Sequence, residues 1–318
     1  MFILALNTMA ALFLCMFIGF IAAKRKVLNE DSIDKLNVLL LNVTFPFMMI
    51  GVFNIELTDT IISKGLPLFV YGVLYQLILA VFAFAFTTVF KYESDKSKVV
   101  QFAMIFTNTG FVGLPLIASV LGNEGLLFAS LLNIPFNIMC FTFGVYLLQP
   151  EGENHINLKS ILFTPTMIGI WIGIVLLLSQ LVIPGTFEVD GEIVRLPSFL
   201  TTTINMVGGI TSPLAMIIVG ASLEQTNFKR VFCDIKLHIF SFVKLLVAPF
   251  ITYGLLSFII TDPQILLIVT IFAGLPSATL GTVLSERFGH DYVYTSEIVF
   301  LTTLYSLVTV PVLFLIFG

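Results

Sequence analysis

The strongest constraint on this chain is that apolar segments about 20 residues long, the length needed to cross a bilayer as a helix, follow one another with only short breaks. Ten such segments fit, at about 2–23, 33–54, 66–90, 99–121, 125–148, 163–183, 198–221, 238–260, 264–284 and 292–317. Composition points the same way. Of 318 residues 58% are hydrophobic and 11% charged, and the mean hydropathy is +1.06, which leaves too little polar surface for a soluble domain. The expected fold class is therefore an all-α membrane protein of ten transmembrane helices. No low-complexity tract or charge run marks off a soluble module. A short cytoplasmic linker, 149–162, separates a first half, 1–148, from a second, 163–318.

The first segment is followed directly by "KRK" at 24–26 and has no basic residue before it, so it reads as a span with an outside N-terminus and not as a signal peptide. In that orientation 13 of the 15 Lys and Arg residues fall on the cytoplasmic side, Lys64 and Arg195 being the exceptions. Both termini then lie outside an integral, multi-pass cell-membrane protein. The net charge of −4 and the scattered basic residues exclude a nucleic-acid partner. Cys15, Cys140 and Cys233 are too far apart for a metal site or disulfide framework, and His155, His238 and His290 read as surface histidines. GxxxxGK[ST], GxSxG and HExxH are all absent, so neither an enzyme nor an ATP-driven pump is expected, and no cofactor.

The tripeptide "GLP" at 113–115 returns at 274–276, 161 residues later, and the same offset carries the first segment onto the sixth. Five spans per half is an odd number, so the halves are inverted in the membrane, an architecture that holds solute near the midplane where interrupted helices meet. A third "GLP", at 65–67, reads as an ordinary start to the third span. A weaker echo links "FPFMMI" at 45–50 with "SPLAMI" at 212–217.

Gly110, Gly113 and Pro115 should open the fourth span, and Gly274 and Pro276 the ninth, because proline lacks an N–H and glycine loosens the helix. Peptide groups freed inside a bilayer cost several kcal/mol each unless protein, water or ligand satisfies them. The new helix N-terminus would favour a carboxylate, with Asn108, Thr109, Ser277 and Thr279 adding neutral hydrogen bonds. Asn133 and Asn137 share a face of the fifth span and serve either solute or helix–helix contact. Lys244 and Glu297 are ionisable residues about six positions into spans that begin at the cytoplasm. They could pair and couple transport to protons, or each could reach the interface by snorkelling.

The passages "TNTGFVGLPL" at 107–116, "SPLAMIIVGASL" at 212–223 and "GLPSATLGTVLSERFGHD" at 274–291, with Pro311 ending the last span, resemble the auxin efflux carrier family. That family includes plant PIN-type auxin exporters and bacterial malonate and malate permeases. The resemblance implies a secondary transporter for a small organic anion, with helices 4 and 9 crossing at their prolines and the solute at the crossover. It places Asn108, Gly110, Gly113 and Pro115 on one side and Pro276 with its neighbours on the other, and it implies a homodimer. The short 149–162 linker matches compact bacterial-type members. Gln76 stands where plant members carry a third-span carboxylate, so their proton schemes do not transfer. The coupling ion would be a proton or sodium. The rival readings are a sodium-coupled carrier of the bile-acid type and a channel or sensor.

Overall fold

The computed structural model describes residues 1–54, 57, 59–149, 163–180, 187–189, 192–194, 198–225 and 228–318. The described chain is helical apart from one hairpin, in which β1 (Phe187–Val189) pairs antiparallel with β2 (Glu192–Val194). Among the described residues seven helices are long and apolar enough to cross a membrane: α1 (Phe2–Lys24), α2 (Glu30–Phe53), α3 (beginning at Asp59 and ending at Val89), α6 (Glu124–Leu148), α8 (Ser198–Ser222), α10 (Ile235–Leu256) and α13 (Tyr292–Phe317). Shorter apolar helices are α5 (Thr109–Gly122), α7 (Pro165–Ser179) and α11 (Pro263–Ala273). Three further α-helices are α4 (Ser94–Ile105), α9 (Phe228–Cys233) and α12 (Leu280–Arg287), and a 3-10 turn, Leu223–Gln225, follows α8.

Helix starts follow polar caps rather than the first apolar residue. Asn29 caps α2 by accepting from Ser32 N–H at 2.8 Å, Asp234 caps α10 from Lys236 N–H at 2.9 Å, and Asp291 caps α13 from Tyr294 N–H at 2.9 Å. The third segment begins further upstream than its apolar stretch suggests. Because α3 starts at Asp59, Pro67 is an interior residue of a 31-residue helix and not its first turn. His155 and linker residues 150–162 lie outside the described residues.

Two sets of helices pack mainly among themselves. In one, α1 lies on α8, and α2 on both α7 and α8. In the other, α3 lies on α4 and α6, while α10, α11 and α13 pack together. Contacts of α1 with α13 and of α8 with α5 join the sets. Glycines make the first set close. Gly19 and Gly220 lie where a Cβ would come 2.0 Å from Ile217 O and 1.7 Å from Met16 O, and Gly169 sits against the Pro46 carbonyl in the same way.

At the far end of the second set Asp262 caps α11. It accepts from the Gln264 and Ile265 amides at 3.0 and 3.3 Å and from Lys64 Nζ on α3 at 2.6 Å. Partial burial acts to raise its pKa, but these donors and the Lys64 charge outweigh burial and hold the carboxyl below its ordinary value. A depressed folded-state pKa contributes stability that is complete above the unfolded pKa and is lost as pH falls through the folded one. Asp262→Asn is therefore expected to shrink the fall in melting temperature between about pH 6 and pH 3. An unchanged acid limb would show the contact to be energetically silent.

Candidate functional site

The site is built from prolines. Pro46, Pro115 and Pro249 are each preceded by a five-residue π turn that ends two residues before the proline, at Leu40–Thr44, Thr109–Gly113 and Val243–Val247. A proline ring collides with the carbonyl one turn back and offers that carbonyl no N–H, and the wider turn accommodates both defects. The consequence in the fourth segment corrects the sequence-based expectation. Gly110 and Gly113 lie inside a wide helical turn, and the backbone opens one turn earlier, at Phe106–Asn108. In the ninth segment α11 stops at Ala273, Gly274 is its C-cap, and α12 resumes at Leu280.

The two openings face each other. Thr107 and Ser277 form an antiparallel bridge, Asn108 N–H donates to Pro276 O at 2.8 Å, and Ala278 N–H donates to Phe106 O at 2.9 Å. Carbonyls left over at the end of α4 also find protein donors: Ser277 Oγ donates to Ala103 O at 2.9 Å and Lys244 Nζ to Met104 O at 2.8 Å. Ser277 N–H in turn donates to Thr302 Oγ1 at 3.2 Å. Most of the peptide groups that the breaks release are thus satisfied by the opposite segment, as burial demands.

What remains unsatisfied is specific. Asn108 is 3% exposed, yet its Nδ2 has no acceptor, and the buried Thr107 Oγ1 has no partner either. The amides of Gly110 and Phe111, donors in the first turn of α5, find no backbone acceptor. Asn108, Thr107, Gly110, Asn137 and Thr279 line a cavity of about 30 Å³ at this point. Phe111, Thr279, Leu280 and Leu41 also line a neighbouring cavity of about 140 Å³, whose walls carry Glu30, Asp34 and Glu286. Three carboxyl side chains thus face this approach, which makes it acidic.

The other expected residues divide clearly. Thr109 Oγ1 donates to Asn133 Oδ1 at 2.7 Å, and Asn137 Nδ2 to Asn133 O at 2.7 Å, so of the two asparagines only Asn137 borders the cavity. Gly113 lies against Leu275 and Phe272, and Gly274 against Leu313 and Pro249, which makes both packing positions. Pro276 contributes its carbonyl to Asn108, and Pro115 sits in the helix that continues from the wide turn. Lys244 and Glu297 make no ion pair with each other. Glu297 is 1% exposed with an unpartnered Oε2, while Lys244 is 0% exposed and reaches Met104 O, so neither snorkels. His290 is also buried: its two ring nitrogens lie 2.5 Å from Asp95 Oδ1 and 2.7 Å from Leu148 O, tying the start of α4 to the end of α6. Sequence reasoning missed Thr302 and Thr107. Thr107 belongs to the "TNTG" passage that marks the break, whereas Thr302 has no local signal at all.

Comparison with known proteins gives the family. A family profile described as "Membrane transport protein" matches residues 4–314. The chain belongs to the auxin efflux carrier family. An uncharacterized transporter of Methanothermobacter thermautotrophicus is 25% identical over 309 residues, covering 96% of this chain and 96% of its own. An uncharacterized transporter of Methanocaldococcus jannaschii is 24% identical over 298 residues, covering 92% of each chain. The auxin efflux carrier family is one of membrane transporters and not of enzymes, and with seven long apolar helices this member is a multi-pass integral membrane protein.

Proposed function

We propose that this protein is a secondary carrier of small organic anions, with ten spans in an inverted five-plus-five repeat and solute bound beside the paired breaks. In this reading α4 with α5 forms the fourth span and α11 with α12 the ninth, both termini lie outside, and two copies assemble as a homodimer. One helix set shifts against the other to give alternating access.

The observation that carries the reading is the Asn108 amide nitrogen, a buried donor without an acceptor, beside the two open first-turn amides of α5. Buried donors are nearly always satisfied, so a set that is left open calls for an acceptor from outside the fold. A helix N-terminus and a carboxamide N–H both suit a carboxylate. The acidic walls of the larger cavity disfavour a second negative charge, which narrows the solute to a monoanion.

The test is thermal stabilisation of purified protein by mono- and dicarboxylates, with counterflow in proteoliposomes as the second step. Monocarboxylates are expected to stabilise the parent more than dicarboxylates do. Asn108→Ala should weaken that binding about tenfold or more, the loss of one hydrogen bond to a charged acceptor. If no organic acid stabilises the parent, the anion reading fails.

A further inference from the structure

The carrier reading leaves the most deeply buried amine of the described chain without a task. Lys244 lies in the π turn Val243–Val247 of α10, packed within the protein at 0% exposure. Its ammonium has one hydrogen bond, to Met104 O at 2.8 Å, and among the described residues no carboxylate stands within ion-pair distance. A buried charge that lacks a counter-charge is costly, so its surroundings must compensate it in another way.

The compensation comes from the break in the fourth segment. Helix α4 ends at Ile105, so Phe102 O keeps its amide partner, Phe106 N–H, but Ala103 O and Met104 O lose the amides that a continuous helix would supply, and Asn108 N–H goes to Pro276 instead. These carbonyls are also the negative end of the α4 dipole. In carriers built on interrupted helices, such carbonyl ends are where a coupling cation is coordinated. Here a tethered ammonium stands at that end. Pro249 accounts for its placement, because the extra residue in the turn before this proline moves Lys244 about 100° around α10 relative to the C-terminal part of that helix.

We propose that Lys244 is a resident cation of the carrier. Its ammonium occupies the position at the carbonyl end of α4 that a free cation would otherwise fill. It ties the α4 end to α10, and it gives the paired breaks one positive charge that no carboxylate among the described residues cancels. Lys244 is thus a positioning residue for the solute site, and sodium is not required. This inference rests on the carrier reading for the solute, but its cation arm does not.

The experiment uses the full-length protein and two readouts. The first is the melting temperature of the parent and of Lys244→Ala in sodium, choline and ammonium chloride. The parent is expected to melt at the same temperature in all three, whereas Lys244→Ala should gain a saturable stabilisation from ammonium. The second is the affinity for a stabilising monocarboxylate in Lys244→Met and Lys244→Arg. Lys244→Met should bind about tenfold more weakly, as expected for loss of a nearby charge in a low-dielectric interior, and Lys244→Arg should bind within about threefold of the parent. Saturable stabilisation of the parent by sodium, or counterflow that needs sodium, overturns the proposal. So does a Lys244→Met variant with the affinity of the parent. Should no carboxylate bind the parent, the carrier reading fails, and the salt series still decides whether Lys244 fills a cation position. Should Lys244→Ala fail to fold, the sodium titration of the parent decides it.

Discussion

Gly220→Leu is expected to leave no monodisperse protein in detergent, and Gly220→Ala to lower the melting temperature sharply. A Cβ at this position would lie 1.7 Å from Met16 O and 2.6 Å from Met16 C. Both atoms are backbone, so no side chain can swing aside to make room. On the other side of the same contact a Cβ at Gly19 would come 2.0 Å from Ile217 O and 2.7 Å from Ile217 C. The axes of α1 and α8 would have to separate by more than about 1 Å to restore ordinary contact distances, and every side chain packed along that seam would lose its partner. Overpacking of this kind costs about 3 kcal/mol or more when backbone must yield. The control is Gly254, a helical glycine of α10 with nothing within 4 Å of its prospective Cβ. Gly254→Ala should be neutral or stabilising by about 0.5–1 kcal/mol, the ordinary gain from removing a helix-interior glycine. Fluorescence-detected size exclusion and thermal melts compare the two. Equal melting temperatures for Gly220→Ala and Gly254→Ala would refute the close packing of α1 on α8.

The helical segments were legible because a bilayer imposes a length on apolar helices, and the "TNTG" and "GLPSATLG" passages marked the two interruptions because glycine, proline and asparagine are costly there. The point of opening was not legible. Counting back from Pro115 places it at Gly110 to Gly113, whereas the π turn absorbs the proline and moves the opening to Phe106–Asn108. Pro67 misleads in the opposite direction, since the helix carrying it begins well upstream in the polar stretch at Asp59.

Partners were harder still, because a sequence shows which groups want partners but not where they find them. Lys244 and Glu297 lie at similar depth in neighbouring helices, which made a pair plausible, yet the lysine turns to a carbonyl that only a broken helix exposes. Ser277 has the look of a solute ligand, but its hydroxyl proton goes to Ala103 O. His290, surrounded in sequence by Gly289 and Asp291, looks like a loop residue, and only the fold brings Asp95 and Leu148 to its ring. Asn108 is the opposite case. Sequence singled it out beside the break, and its amide nitrogen is a buried donor left without an acceptor.

Widening Gly113 is expected to separate the two breaks and abolish counterflow while leaving the seam between α1 and α8 intact. A Cβ here would lie 2.7 Å from Leu275 Cδ1 and 3.1 Å from Phe272 Cε1. The leucine methyl group can move, so Gly113→Ala should cost about 1–3 kcal/mol. Phe272 is a buried ring that also packs against Tyr75, and it cannot clear the volume of a larger side chain. Gly113→Leu must therefore push the wide turn away from α11, straining the bonds from Asn108 N–H to Pro276 O and from Ala278 N–H to Phe106 O. Disulfide formation reads the separation directly. Thr107 and Ser277 face each other in an antiparallel bridge, where opposed Cα atoms lie about 4.5–5.5 Å apart, a span that a disulfide accommodates. In a background with Cys15, Cys140 and Cys233 replaced, Thr107→Cys combined with Ser277→Cys should crosslink readily, seen as lost reactivity toward a maleimide of high mass. Adding Gly113→Leu should slow that crosslink about tenfold or more, the effect of roughly 1.4 kcal/mol against the paired arrangement. If the crosslink forms equally fast with leucine at 113, the contact between Gly113 and the end of α11 does not hold the breaks together.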